Sequence, residues 1–221
     1  MKRATGARRA PGGRPVRARP AERRAQLLDA ADQVIRRDGP AASMDVIAAE
    51  AGITKPILYR HFGHKGGLYA ALAERYAGGL MTEITGALER ARNPRERLAL
   101  TMDTYFAWLE SEPQVYRFLV HRAQTERREV HDAIGAFVHD VALEVAAAAR
   151  SDLLSGDEED GARKADFAEP LAFAVVGAVQ TAGDWWLEHP GTPRSELVDE
   201  LVSLVWDGLE RYAAKREDAV Q

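Results

Sequence analysis

The sequence predicts an all-α protein, in which a three-helix N-terminal unit containing a helix-turn-helix precedes a larger helical body. Three observations carry that prediction. Nowhere do apolar and polar residues alternate with the period of two that a half-buried strand requires. From residue 21 onward apolar residues recur instead at i, i+3, i+4 and i+7, the period of an amphipathic helix. Proline and glycine then cut this pattern into lengths, at Gly39-Pro40, Gly52, Gly63, Asn93-Pro94, Glu112-Pro113, Pro190 and Pro193.

Residues 1–20 hold seven Lys/Arg, three Pro and three Gly. So polar a segment cannot bury enough surface to offset its ordering entropy, and it is expected to be a flexible basic arm. In the first helix Leu27, Leu28, Ala31, Val34 and Ile35 form one stripe that ends at Gly39-Pro40. Ser43 caps a short second helix containing Met44, Ile47, Ala48 and Ala51, and Gly52 supplies the left-handed residue that ends it. Thr54 can cap the third helix, with Pro56 in its first turn and Leu58 and Phe62 sharing its inner face. Long helices follow, expected over 66–90, 94–110, 112–122, 126–153, 166–188 and 193–216, with an acidic loop over 155–161. The organisation is therefore an arm over 1–20, a helix-turn-helix unit over 21–66 and a helical body over 67–221.

The formal net charge of −4 conceals a division. Residues 1–66 carry 14 Lys/Arg against 6 Asp/Glu, and residues 67–221 carry 16 against 28. A balance of +8 on one end and −12 on the other points to a polyanionic partner for the basic end alone. Other classes fall away. With no cysteine there are no disulfides, thiolate metal sites or cysteine nucleophiles. The longest apolar run, 171–179, is far short of the ~20 residues a membrane span needs. The basic N-terminus lacks the apolar stretch of a signal peptide, so the chain is expected in the cytoplasm with no membrane partner.

Projected at about 100° per residue with Leu58 and Phe62 inward, the third helix turns Pro56 and Arg60 outward. Ile57 and Tyr59 flank them, and Lys55 and His61 sit at the sides. An apolar Ile57 beside Arg60 is out of place on a solvated face. It suits a major groove, where Arg pairs with guanine and an apolar side chain meets a thymine methyl. Tyr59, His61, Lys65 and the Ser43 cap suit phosphate contacts, and Thr54 is counted with them among the DNA-binding residues. In the arm, Arg14 and Arg17 resemble side chains that enter a narrow minor groove. A helical hairpin in an ordinary α-domain would show similar spacing, and a tail that only aids solubility would show similar charge; the conjunction of the two favours double-stranded DNA as partner.

The stretch Ser43-Met-Asp-Val-Ile-Ala-Ala-Glu-Ala-Gly-Ile-Thr-Lys-Pro-Ile-Leu-Tyr-Arg-His-Phe-Gly-His-Lys65, followed by Leu68, resembles the DNA-binding domain of the TetR/AcrR family of bacterial transcriptional repressors. The similarity spans residues 24–70, about one fifth of the chain. Ile57 stands where the family commonly has a small hydroxyl residue, and Gly67 where it often has an acidic one. The resemblance implies a homodimer with one recognition helix per half-site. It also implies a variable C-terminal domain whose bound small molecule changes the spacing of the two reading heads.

In the body, Met102, Tyr105, Phe106, Trp108, Phe118, Phe137, Phe173 and Trp185 form an aromatic-rich group that plain core packing explains one by one. Together they are expected to line an apolar effector pocket, with Gln180 and Asp184 as polar anchors and Arg122 near a charged head group. A fatty acyl thioester is the ligand class this lining favours. Val198, Leu201, Val202, Val205, Trp206 and Leu209 form a broad stripe, with Val175 and Val179 on the preceding helix. That stripe is expected to form a four-helix dimer interface; burial within one chain is the alternative. His131 and His139 lie eight apart, a weak metal spacing, and no phosphate loop or nucleophile motif is present. No metal, cofactor or catalytic residue is expected. The sequence reads as a ligand-responsive repressor, with an activator of the same family or a non-specific architectural DNA-binding protein as alternatives.

Overall fold

The computed structural model describes residues 19–125, 129–153 and 158–218. Among these, all regular structure is helical: α1 Pro20–Asp38, a 3₁₀ turn Gly39–Ala41, α2 Met44–Glu50, α3 Lys55–Phe62, α4 Lys65–Arg90, α5 Pro94–Ser111, α6 Pro113–Thr125, α7 Glu129–Leu153, α8 Glu158–Glu188 and α9 Arg194–Asp218. Helix α8 begins at Glu158, well before the expected start at 166, and so takes in part of the stretch read as an acidic loop. Acidic residues are favourable in a first helical turn, where they meet the positive end of the helix dipole. Pro170 lies inside α8 and is exposed, and having no N–H it leaves that helix one hydrogen bond short.

The first core joins the head to the body. Leu27, Val34 and Ile35 of α1, Ile47 of α2 and Leu58 of α3 close on Leu68, Tyr69 and Leu72 of α4, with Val115 and Phe118 of α6 beneath. Leu58 is fully buried, which stabilises α3 on the head by roughly 2 kcal/mol. A second core packs Met102, Phe106 and Leu109 of α5 against Val179 and Trp186 of α8 and Val198 and Val202 of α9. Arg194 pins the start of α9 to α5 through Asp103 at 3.0 Å and Glu110 at 2.7 Å. A third cluster joins Leu80 and Ile84 of α4 to Val141 of α7.

The junction of α3 with α4 is tight. His64 precedes α4 in extended backbone, and its Nδ1 accepts the Gly67 N–H at 3.4 Å. A Cβ at position 67 would overlap the Phe62 carbonyl oxygen. Gly67, the departure from the commoner acidic residue, is thus where the end of α3 touches the start of α4. Gly67→Ala is expected to lower unfolding free energy by about 1–3 kcal/mol. Gly78→Ala, on the exposed side of the same helix with nothing within 4 Å, is expected to raise it by about 0.5–1 kcal/mol. Opposite shifts in thermal melts followed by circular dichroism check the pair.

Candidate functional site

The turn between α2 and α3 ends in a double hydrogen bond. Gly52, at φ +63°, donates its N–H to the Ala49 carbonyl at 3.0 Å, and Ile53 donates to that of Ala48 at 2.9 Å. This is the Schellman pattern, and only glycine adopts its left-handed residue without strain. Ile53 packs on the head core beside it, which fixes the angle between the helices. Ser43 caps α2 by accepting the Val46 N–H at 3.4 Å. Thr54 has the backbone of a cap, but its side chain makes no cap hydrogen bond, so its hydroxyl remains available at the start of α3.

On α3, Pro56 and Arg60 are exposed and Ile57 and His61 half-exposed. Tyr59 differs from its expected outward position, with its ring packed partly on the head core. The Lys55 ammonium pairs with Asp45 of α2 at 3.0 Å, and that hydrogen bond raises its pKa. Lys65 holds its ammonium 5.6 Å above the Tyr69 ring, and Arg24 of α1 lies 4.9 Å over Phe62. Arg24 is a cation near the foot of α3 that the helix projection missed, because it sits on another helix. Arg14 and Arg17 lie outside the described residues.

Within the body, a cavity of about 440 Å³ opens between α4, α5, α7, α8 and α9. Met102, Tyr105, Trp108, Phe137 and Gln180 line it, with Leu80 and Ile84 of α4 and Val141 and Val145 of α7. The other expected pocket residues lie elsewhere. Phe106 packs edge-on against Trp186 at 5.6 Å and Phe118 against Tyr69 at 4.9 Å, both inside cores. Phe173 tilts over His139 at 5.3 Å. Trp185 stacks on His189 at 4.2 Å on the outer face and is 48% exposed. Asp184 accepts the Tyr116 hydroxyl rather than facing the cavity. The Arg122 side chain lies outside the described residues.

The stripe expected to meet a partner chain turns inward. Val175, Val179, Val205, Trp206 and Leu209 line the cavity, while Val198 and Val202 are buried with Leu201 packed beside them. The stripe is wide because α5 and the cavity need covering within one chain. Tyr116 of the aromatic-rich middle helices also lines the cavity, as do Arg97, Thr101 and Tyr76, which the sequence reading did not single out.

Tyr76 has a second contact. Its hydroxyl donates to Asp32 of α1 at 2.6 Å. The other Asp32 oxygen takes Arg36 Nε at 2.8 Å, and Arg36 reaches on to Glu112 at the α5–α6 link. Burial, and next the hydrogen bond to Asp32, raise the Tyr76 pKa well above the ordinary phenol value. Among the described residues no group of His, Asp and Glu could hold a metal ion, and no helix is long and apolar enough to cross a membrane.

Family models match both halves of the chain: residues 27–72 match bacterial regulatory proteins of the tetR family, and residues 83–221 the tetracyclin repressor-like C-terminal domain. The HTH-type transcriptional activator FasR of Mycolicibacterium smegmatis is 31% identical over 197 residues, covering 88% of this chain and 86% of that protein. An HTH-type transcriptional regulator of Mycobacterium tuberculosis is 31% identical over 189 residues, 85% of this chain and 77% of its own length. A TetR-like regulator from a Rhodococcus species superposes with TM-score 0.61 at 26% identity over 86% of this chain and 97% of its own. A tetR-family regulator from Streptomyces coelicolor superposes with TM-score 0.69 at 22% identity over 90% and 85%. By helix-turn-helix, helical body and matched sequence in both, this protein belongs to the TetR family of bacterial transcriptional regulators.

Proposed function

We propose that the protein is a dimeric repressor that binds a near-palindromic operator and releases it when an apolar effector, a fatty acyl thioester, fills the cavity. In this reading Arg60, with Ile57 and Pro56, meets base edges, while Ser43, Thr54, Lys55, Tyr59, His61 and Lys65 contact phosphates and Arg14 and Arg17 the minor groove. The observation that carries the reading is the double role of Tyr76. Its ring forms part of the cavity wall and its hydroxyl holds Asp32 in the reading head. An effector that displaces the ring withdraws a hydrogen bond to a carboxylate, worth ~1.5–3 kcal/mol. A useful switch needs roughly a hundredfold change in DNA affinity, or ~2.7 kcal/mol. One such bond is therefore of the right size. The FasR relative carries the name of an activator, which favours activation as the second reading, with the same site and the opposite transcriptional sign.

The dimer face in this reading is the outer side of α8 and α9. Ala174, Ala178, Thr181 and Trp185 are exposed at i, i+4, i+7 and i+11 on α8, and Leu204 of α9 is 73% exposed. Two such helices from each copy make a self-complementary four-helix contact.

Fragments bound by the protein, selected from bacterial DNA, are expected to share a near-palindrome; no shift at low salt rejects the reading. Arg60→Ala is expected to lower discrimination between selected and scrambled sites by ~1–3 kcal/mol, read from paired binding curves. Tyr76→Phe is expected to keep effector binding and lose most of the effector's influence on DNA affinity. A Tyr76→Phe protein as responsive as wild type removes Tyr76 from the coupling. Leu204→Glu is expected to yield monomers in sedimentation equilibrium while the helical circular dichroism is retained.

A further inference from the structure

Lys55 is the cation that opens the recognition helix, and it is already engaged. Its ammonium lies 3.0 Å from Asp45 Oδ2, across the turn that joins α2 to α3. The hydrogen bond it donates to Asp45 is the first cause of its raised pKa. Both partners face water: the Asp45 side chain is 73% exposed and that of Lys55 38%. A pair so placed is screened by solvent and adds little to stability. Nor does α3 rest on the pair alone, because the buried Leu58 and the double hydrogen bond at Gly52 and Ile53 also hold it on the head.

What the pair does is cancel charge where the head meets a polyanion. Asp45 sits in the first turn of α2, two residues after the Ser43 cap. Lys55 is the first residue of α3. Ser43 and Lys55 are both assigned above to phosphates, so the Asp45 carboxylate stands among the groups that face the DNA backbone. Other cations there are held differently. Arg24 lies over the Phe62 ring, a contact that orients a guanidinium without neutralising it, and Arg60 is exposed. Lys55 instead carries its own counter-anion, and a carboxylate oxygen accepts from an ammonium much as a phosphate oxygen does.

We propose that Asp45 is an intramolecular competitor for the DNA backbone: Lys55 reaches a phosphate only by leaving Asp45, and the carboxylate it leaves stays beside the polyanion. The exchange has a thermodynamic consequence. A lysine that neutralises a phosphate releases a condensed cation from DNA. The vacated carboxylate takes a cation up again, so the pair contributes almost nothing to the net release. Asp45 thereby sets how tightly the head holds DNA of any sequence and how steeply salt weakens that hold. Base reading stays with Arg60 and Ile57. This inference rests on the DNA-binding reading of α3 and adds to it a residue that acts against the cations.

The test uses the full-length protein and two labelled duplexes, one selected for binding and one scrambled, titrated by fluorescence anisotropy over a series of KCl concentrations. Asp45→Asn removes the charge with little change of shape. It is expected to bind both duplexes about tenfold tighter at low salt, and to steepen the plot of log affinity against log salt by about 0.9 per head. The ratio of the two affinities is expected to stay within about twofold of wild type, because phosphate contacts carry no sequence information. The same substitution in a Lys55→Met background separates competition from simple repulsion: there the gain in affinity and slope is expected to be clearly smaller. Asp45 also meets the positive end of the α2 dipole, and a merely structural role would lower the melting temperature of Asp45→Asn while leaving the salt slope unchanged. An unchanged slope, weaker binding, a shifted ratio, or an equal gain with and without Lys55 overturns the inference alone. Failure of wild type to bind either duplex at low salt overturns it together with the DNA-binding reading of α3.

Discussion

Everything in this molecule depends on α4 being one uninterrupted rod. It runs for 26 residues, and its two halves belong to different cores. Leu68, Tyr69 and Leu72 are part of the head core with α1, α2 and α3, whereas Leu80 and Ile84 join the cavity-side cluster with α7. Helix α4 thus contributes to both, through Leu68 to the head core and through Ile84 to the cavity-side cluster. The head end has little slack, because the His64 cap and the close approach of Gly67 to the Phe62 carbonyl fix α4 to α3. Recognition helix and cavity wall are thereby attached to the same rigid element, and Tyr76 sits where one role passes to the other.

Charge plays two different parts around that rod. On the exposed surface, pairs such as Arg37 with Asp38 and Glu50 are screened by solvent and contribute little to stability. At the junction, Asp32 is half-buried and receives both Tyr76 and Arg36. The hydrogen bonds that Arg36 donates to Glu112 first and Asp32 second raise its pKa, so the guanidinium stays charged. A ring pushed aside would open the network at its Tyr76 end. The long-range division of charge, +8 over residues 1–66 against −12 beyond, acts separately by directing the reading head to a polyanion.

What the sequence disclosed follows from what local periodicity encodes. The head was legible because its signals are local and redundant: the Ser43 cap, the left-handed Gly52, Pro56 in a first turn, and Leu58 with Phe62 on one face. Each reports backbone geometry within a few residues. The inward stripe of α8 and α9 was legible as apolar but not as to what covers it. Val202 against α5 and Val202 against a second chain would give the same pattern. Conversely, the outer face with Trp185 and Leu204 is interrupted by small and polar residues, so periodicity ranks it below the inner one. Local sequence does not tell Thr101, whose hydroxyl makes no hydrogen bond, from Thr104, whose hydroxyl bonds the Leu100 carbonyl. His64 is an uncommon cap, and composition offers no signal for it.

The same distinction between fixed and available groups orders the recognition surface. Lys55 is already paired with Asp45 and Tyr59 already leans on the core, so neither is wholly free to follow a change of base sequence. These two side chains tie α3 to its own domain and thus set its angle. Arg60 and Pro56 are exposed, and no hydrogen bond holds the Thr54 side chain at its cap. Ordering them on DNA needs no rearrangement of the helix that carries them. The double hydrogen bond at Gly52 and Ile53 has already removed the freedom of the turn, so the entropy lost on binding is confined to a few side chains. A head preorganised in this way carries the exposed Arg60 on a helix already fixed in place. Its tie to α4 is the short link between Phe62 and Gly67, where the His64 cap and the close approach of Gly67 to the Phe62 carbonyl join the two helices.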